Sequence, residues 1–462
     1  MPTQRILLNA FDMPVTGHLA PGVWTHPDDR AHRYKDLDYW TNLAKLLERG
    51  KFDGLFLADV LGVYDVYQDS RDPAVRTGTQ LPVNDPLLSV SAMAAVTEHL
   101  GFGVTVSLTY EQPYALARKF STLDHLTKGR IAWNIVTSYL DSAAVNLGLD
   151  QQITHDNRYD IGEEFLEVTY KLWESSWEDD AVVADKETGV YADPAKVHPI
   201  GHKGKYYSVP GVFLSEPSPQ RTPVLYQAGT SGKGKAFAAK HAEAVFVMSH
   251  STEVIRKHVD DIRAQAAGFG RDPRSVKVFA LVTPIVAETD EAAQQKFRDY
   301  LSRASFDGAL TLFGGWTGID LSEYPADQAL THVHSEAIQS VVENFSKSDP
   351  SRTWTPEEIG KFLGIGGLGP VVVGSPSTVA DELERWVEEA DVDGFNLAYA
   401  VTPGTFEEFI DLVVPELQRR GRVWQDYESD TLRENFYGPG QARLRDDHPG
   451  ARFRYTEADN RR

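Results

Sequence analysis

The sequence predicts an α/β fold, a closed (β/α)8 TIM barrel with long insertions. Short β-rich runs alternate with helical patterns eight times along the 462 residues. Polar side chains recur at the C-terminal ends of the predicted strands, where enzymes of this barrel class place their active sites. Two long interruptions, residues 175–222 and 303–370, leave the alternation intact. Inserts of that size in a compact domain commonly serve as lids or binding loops.

The elements follow in order. Arg5–Phe11 reads as a buried strand, and Leu37, Trp40, Leu43, Ala44 and Leu47 then repeat at helical spacing until Gly50 stops the helix. Gly54–Ala58 is the second strand, followed by helix Leu87–Thr97. Phe102–Ser107 leads into helix Tyr114–Leu126, and Ile131–Val136 into helix Gly162–Trp173. Val224–Ala228 precedes a helix from Gly234, Ala244–Met248 precedes Glu253–Ala267, and Val276–Val286 precedes Glu291–Ser302. Helix Thr378–Ala390 comes before the eighth unit, strand Phe395–Ala400 with helix Phe406–Arg419. A decorated barrel absorbs a chain of this length as one domain, so residues 1–462 are expected to form one barrel domain. The polar, charged extension from about residue 421 is expected to wrap the surface or a partner subunit.

Composition narrows the function. The formal net charge of −21 repels nucleic-acid phosphates and anionic lipid surfaces, so neither is expected as a partner. The chain has no cysteine, which excludes disulfides, thiolate nucleophiles and zinc–cysteine sites. The first residues have no long apolar core, and no stretch approaches the roughly 20 apolar residues of a membrane span. A cytoplasmic enzyme is the expectation. His198 and His202 lie in a Pro/Gly-rich loop, and His332 and His334 show no third partner, so no catalytic metal is expected.

Two glycine-rich segments imitate nucleotide motifs. Gly364-Ile-Gly-Gly-Leu-Gly369 matches the dinucleotide fingerprint in letters, but a helical pattern precedes it and Pro370-Val-Val-Val follows. The fingerprint needs a strand before and a helix after, so this segment reads as a loop or hinge. Gly229-Thr-Ser-Gly-Lys-Gly-Lys-Ala236 has the right context but carries Ala236 where a P-loop has its magnesium-binding hydroxyl. Nucleotide hydrolysis is therefore not expected. The exposed N–H groups, Thr230, Ser231 and the dipole of the following helix still favour a phosphate.

Asp59 ends the second strand, Ser107 and Thr109 the third, and Asn134, Thr137 and Ser138 the fourth. Single residues of these types can simply cap the next helix. Several on successive strands point to one shared site. His18, just after the first strand, titrates near neutrality in water and is a candidate proton donor. No Gly-x-Ser-x-Gly elbow occurs. A glycosidase on this barrel would need Asp59 and Asp12 as its two carboxylates, and a non-catalytic flavin-binding barrel is a further reading.

Ordered segments carry a resemblance. They are Asn9-Ala-Phe-Asp-Met13, Gly50-Lys-Phe-Asp-Gly-Leu-Phe-Leu-Ala-Asp59, Val83-Asn-Asp-Pro86, Ala95-Val-Thr-Glu-His99, Ser121-Thr-Leu-Asp-His125, Gly129-Arg-Ile-Ala-Trp-Asn-Ile-Val-Thr-Ser138, His155-Asp-Asn-Arg-Tyr159, Tyr226-Gln-Ala-Gly229 and Asp393-Gly-Phe-Asn396. Together they resemble the bacterial-luciferase-like superfamily, in the branch of nitrilotriacetate, dibenzothiophene-sulfone, long-chain-alkane and dimethyl-sulfide monooxygenases. The resemblance implies a two-component, FMN-dependent monooxygenase: a separate NAD(P)H:flavin reductase supplies reduced FMN, O2 is the co-substrate, and oxygen passes to a small organosulfur, alkane or heteroaromatic substrate through a flavin peroxide. It also implies a homodimer or homotetramer.

By resemblance, Asp59, Ser107, Asn134 and Ser138 line the flavin ring and ribityl chain. Tyr159, Gly229, Thr230 and Ser231 hold its phosphate, and Thr137 and Ala228 also belong to the cofactor site. His18 is the catalytic candidate, and Phe11, Val15, Tyr64, Gln80, Tyr139 and Trp316 face the substrate. The sequence departs from the alkane-enzyme pattern at Val15, Tyr139 and Leu312, which replace a cysteine and two histidines. Riboflavin lyase, on the same scaffold, is the alternative.

Overall fold

The computed structural model describes residues 5–229, 231–328 and 354–456. Eight parallel strands close a barrel: β1 Leu7–Asp12, β2 Gly54–Leu57, β3 Gly101–Ser107, β4 Ile131–Val136, β5 Val224–Gln227, β6 Ala244–Val247, β7 Lys277–Val286 and β8 Gly394–Leu397. Their order runs β6-β5-β4-β3-β2-β1-β8-β7, and β6 pairs with β7 to complete the ring. An additional strand, Val371–Gly374, extends only the far end of β7.

Side chains alternate across each strand. On β3, Phe102 and Val104 point outward and join the main core between strands and helices. The inward set is polar toward the C-terminal end: Thr105 and Ser107 on β3, Asn134 on β4. The lower lumen is filled by aromatic rings from several strands, among them Phe56, Tyr226, Phe246 and Phe279. The barrel is thus a packed core that opens only at the strand C-termini.

The tail has a structural part that the sequence reading did not give it. Helix Leu432–Tyr437 sends Leu432 and Phe436 into the lumen cluster from the N-terminal end of the strands. Between them the fully buried Arg433 donates to both Glu243 carboxylate oxygens at 2.7 and 3.0 Å and to the Thr222 carbonyl at 2.8 Å. The extension therefore plugs the barrel floor.

Other differences have local causes. The helix expected over Leu87–Thr97 is a 3-10 turn, Pro86–Ser89, followed by the short helix Val90–Ala94. The helix expected from Gly162 starts at His155, seven residues or about two turns earlier, in a polar stretch with no apolar pattern to show it. The 175–222 insertion holds two small hairpins, Val182–Ala192 and His202–Val209. In the second insertion, Phe306–Thr317 forms an unpredicted helix that is apolar nearly all round and capped by Ser305, whose hydroxyl accepts the Gly308 N–H at 3.1 Å. Residues 329–353 of that insertion lie outside the described residues. The Gly364–Gly369 run leads into the extra strand, not a helix, so the dinucleotide fingerprint lacks its anion seat. Among the described residues, no helix is long and apolar enough to cross a membrane.

Candidate active site

Two adjoining cavities occupy the open end of the barrel. The outer cavity, about 230 Å³, lies over the ends of β2 to β5. The inner chamber, about 160 Å³, lies over β1, β2 and β7. Asp59, Val60, Tyr139 and Met248 line both and form the shared wall.

The outer cavity is polar at one end. Ser231 caps helix Gly232–His241, its Oγ accepting the Gly234 N–H at 3.1 Å. The same oxygen lies 3.1 Å from His155 Nε2. The Tyr159 hydroxyl sits against Ser231, Thr137 and Gln227. A side chain on Gly234 would bring a Cβ within 2.8 Å of both Ser231 Oγ and Tyr159 Oη, so glycine alone permits this convergence. The buried Arg158 donates to the Ser138 carbonyl and places its positive charge on the same wall. His155, Arg158 and Tyr159 share one face of the first turn of helix His155–Tyr170 because they are spaced i, i+3, i+4. A helix N-terminus with free N–H groups, hydroxyls and a guanidinium is the donor set that an anion requires.

The rest of that cavity is a slot walled by Ile135, Val136, Leu140 and Met248, with Ser107 and Ser138 at its edge. Ser138 adopts the left-handed conformation, φ 56°, and donates to Ser107 Oγ at 2.8 Å. A non-glycine residue there is held by its surroundings and marks a functional turn. Burial pushes the Asp59 carboxyl up to about 7, with Asp85 adding to the effect and the Val60 N–H opposing it.

The inner chamber is more apolar. Trp316 on helix Phe306–Thr317 donates to Tyr64 Oη at 3.1 Å, and Tyr64 and Tyr139 share a hydrogen bond of 2.8 Å. His18 is 3% exposed, edge-on to Phe11 at 4.6 Å, with Nδ1 unpartnered. Burial lowers its pKa to about 3, so it stays a neutral imidazole at working pH. Gln80, at φ 48°, donates to the His18 carbonyl at 3.3 Å.

The expected residues therefore fall into groups. Asp59, Ser107, Thr137, Ser138, Tyr159, Ala228, Gly229 and Ser231 line the outer cavity. Phe11, His18, Tyr64, Gln80, Tyr139 and Trp316 line the inner chamber. Asn134 lies one layer below, its amide donating to Thr105 Oγ1 at 2.9 Å and its Oδ1 unpartnered in the lumen. Val15 is buried in a bridge to Val83 and lines neither cavity. Thr230 lies outside the described residues.

Arg158, His155, Thr105 and Gln227 are cavity residues that the sequence reading did not select. The spacing His155-x-x-Arg158-Tyr159 was the usable signal. Asp12 points to the helix layer, accepting from Tyr39 Oη at 3.0 Å, and so cannot pair with Asp59 as a glycosidase requires. Among the described residues no cluster of His, Asp and Glu is placed to hold a metal.

Comparison with known proteins agrees with this geometry. A family model described as luciferase-like monooxygenase matches residues 18–394, and the chain belongs to that family. It is 54% identical to the dimethyl-sulfide monooxygenase of Hyphomicrobium sulfonivorans over 98% of this chain and 94% of that protein. It is 53% identical to the long-chain alkane monooxygenase of Geobacillus thermodenitrificans, over 98% of each. A crystal structure of riboflavin lyase superimposes with a TM-score of 0.92 at 38% identity, covering 98% of this chain and 100% of that one. The expectations of a (β/α)8 barrel and a flavin-dependent monooxygenase are met, and the hydrolase alternative is set aside.

Proposed function

We propose that the outer cavity binds reduced FMN, delivered by a separate NAD(P)H-dependent flavin reductase, and that the chain inserts one atom of O2 into a small organic substrate held in the inner chamber. The carrying observation is the anion seat of Ser231, Arg158 and Tyr159 at one end of a slot whose other end borders the chamber. The residues present fit FMN: cation and hydroxyls for the phosphate, small polar groups along the slot for the ribityl chain, and aliphatic walls for the ring. When bound, reduced flavin supplies the two electrons that activate oxygen.

The chain's own groups do the rest. Ser231 fixes the helix end and Arg158 supplies charge. Val60 and Met248 keep water from the boundary of the two cavities. Asp59, its carboxyl near 7, holds a proton at that boundary over the lower part of the physiological range. His18, neutral, offers one donor and one acceptor and no proton beyond that.

Anaerobic titration tests the reading. Reduced FMN should bind more tightly than oxidised FMN, and oxygen uptake should require a flavin reductase with FMN. No affinity for either flavin form would end the proposal.

A further inference from the structure

The inner chamber carries information about the substrate that the relatives do not agree on. Its volume, about 160 Å³, is close to that of an apolar protein cavity that accepts one benzene, roughly 150 Å³. Its far wall is the glycine run that imitates a dinucleotide motif. Gly366 and Gly367 both have positive φ, 85° and 59°, and the Gly366 N–H donates to the Leu19 carbonyl at 2.8 Å. This turn presents Leu368 to the chamber. A Cβ on Gly367 would stand 3.2 Å from Leu19 and 3.4 Å from the Trp316 ring, so the turn is already seated against both walls.

The chamber's polarity is equally specific. No Lys or Arg lines it among the described residues, and its one carboxyl is Asp59. A carboxylate substrate would find no cation among the described lining residues to balance its charge. In the chain Trp316–Tyr64–Tyr139 the indole N–H occupies Tyr64, and the two phenols use one proton for the bond between them. One phenolic proton is left to donate, and the neutral His18 ring and the Gln80 amide line the same chamber.

We infer that the substrate is a compact, neutral molecule of up to about benzene size with a hydrogen-bond-accepting heteroatom, and that the Gly366–Leu368 turn sets its length limit. The inference rests on the chamber being the substrate side of the proposed flavin site. It disfavours long alkanes, riboflavin and polycarboxylates as substrates of this chain.

Calorimetric binding to the protein with oxidised FMN tests it without turnover. Three thioethers keep the sulfur constant: tetrahydrothiophene, methyl octyl sulfide and thiodiacetate. The ring should bind at least about tenfold more tightly than either other ligand, the factor expected for an ill-fitting or unpaired group. Leu368→Ala should improve methyl octyl sulfide by about tenfold, and Gly367→Ala should weaken the ring. If Leu368→Ala does not fold, as judged by its melting profile, Leu368→Val gives the same direction in a smaller step. Wild-type affinity for methyl octyl sulfide or thiodiacetate equal to that for the ring, no binding of the ring, or unchanged length preference in the variants overturns the inference. Because no reductase or O2 is used, a failure here is distinct from a failure of oxygen uptake, which would count against the flavin reading alone.

Discussion

The two cavities at the barrel mouth share one wall and differ in nearly everything else. The outer one is anchored by a donor set: the Arg158 guanidinium and the N-terminus of helix Gly232–His241 converge at one end, beside the His155 ring. The inner one is closed by shape, with Trp316, Leu281, Leu368 and Phe11 around a few polar groups and one carboxyl, Asp59. In the proposed reading the charged, hydroxyl-rich seat takes the flavin phosphate, a group that every turnover uses. In the same reading the shape-limited chamber takes the substrate, the variable partner. If the proposed division holds, the chamber can vary while the seat stays constant, and two similar relatives are in fact named for different substrates, dimethyl sulfide and long-chain alkanes.

The largest test of that division is a charge reversal at the anchor. Ser231→Asp keeps a good helix cap, since aspartate caps as well as serine, but sets a carboxylate where the phosphate is to sit. FMN affinity should fall by about 100-fold while riboflavin, which has no phosphate, changes little. Fluorescence titration with both flavins decides it; equal loss would move the phosphate elsewhere.

A smaller effect is expected from the shared wall. Tyr139→Phe removes one hydroxyl from the Trp316–Tyr64–Tyr139 chain and leaves the ring in place. Substrate affinity should fall by about 3- to 10-fold, the worth of one neutral hydrogen bond, with FMN affinity unchanged. A parallel loss of FMN would show that the two cavities are not separable.

Asp59 belongs to both cavities and gives a stability test. Its folded pKa, about 7, lies above the ordinary carboxylate value, so the fold favours the protonated form. Stability from this group is greatest at low pH and is lost as pH rises from about 4 to about 7. Asp59→Asn should therefore melt about 2 °C above wild type at pH 8 and level with it at pH 4. A constant difference across that range would show that the carboxyl titrates normally.

How much of this was legible in the sequence depends on the physics of each element. The eight strands were readable as short apolar runs buried on both faces, and most of the helices as apolar residues repeating on one face. Strand-end residues such as Asp59, Ser107 and Ser138 were readable because the fold fixes which strand end faces the site. Arg158 and His155 were not selected, since a polar first helical turn has no apolar pattern to locate it. Helix Phe306–Thr317 was missed for the opposite reason: it is apolar on all sides and shows no period. Val15 sits close in sequence to His18 yet faces a bridge with Val83, a long-range pairing that local pattern does not report.

His18 is expected to give the smallest effect on pH dependence, and the reason lies in the chamber. A histidine in water changes charge near neutrality, and an acid limb in the pH profile of a histidine-containing site is usually assigned to it. Here burial among Phe11, Leu19 and Tyr399 removes the solvation of the charged form and lowers the pKa to about 3. The imidazole then has no charge to lose between pH 5 and 8, and acts through one N–H and one lone pair. The same shift has a sign in stability. The unfolded chain takes up a proton below about 6.5 and the fold does not, so stability from this group is present above that pH and is lost as pH falls toward about 3. His18→Gln, which keeps a donor and an acceptor, should leave the pH profile of oxygen uptake in place between 5 and 8. It should resist unfolding at pH 4 better than wild type, and FMN affinity should stay the same. Its product yield per O2 should drop by about half, the remainder appearing as hydrogen peroxide, as a single misplaced hydrogen bond would cause. A limb near pH 6.5 that is present in wild type and absent in His18→Gln would show that the imidazole titrates in the chamber, and the neutral-histidine account would be wrong.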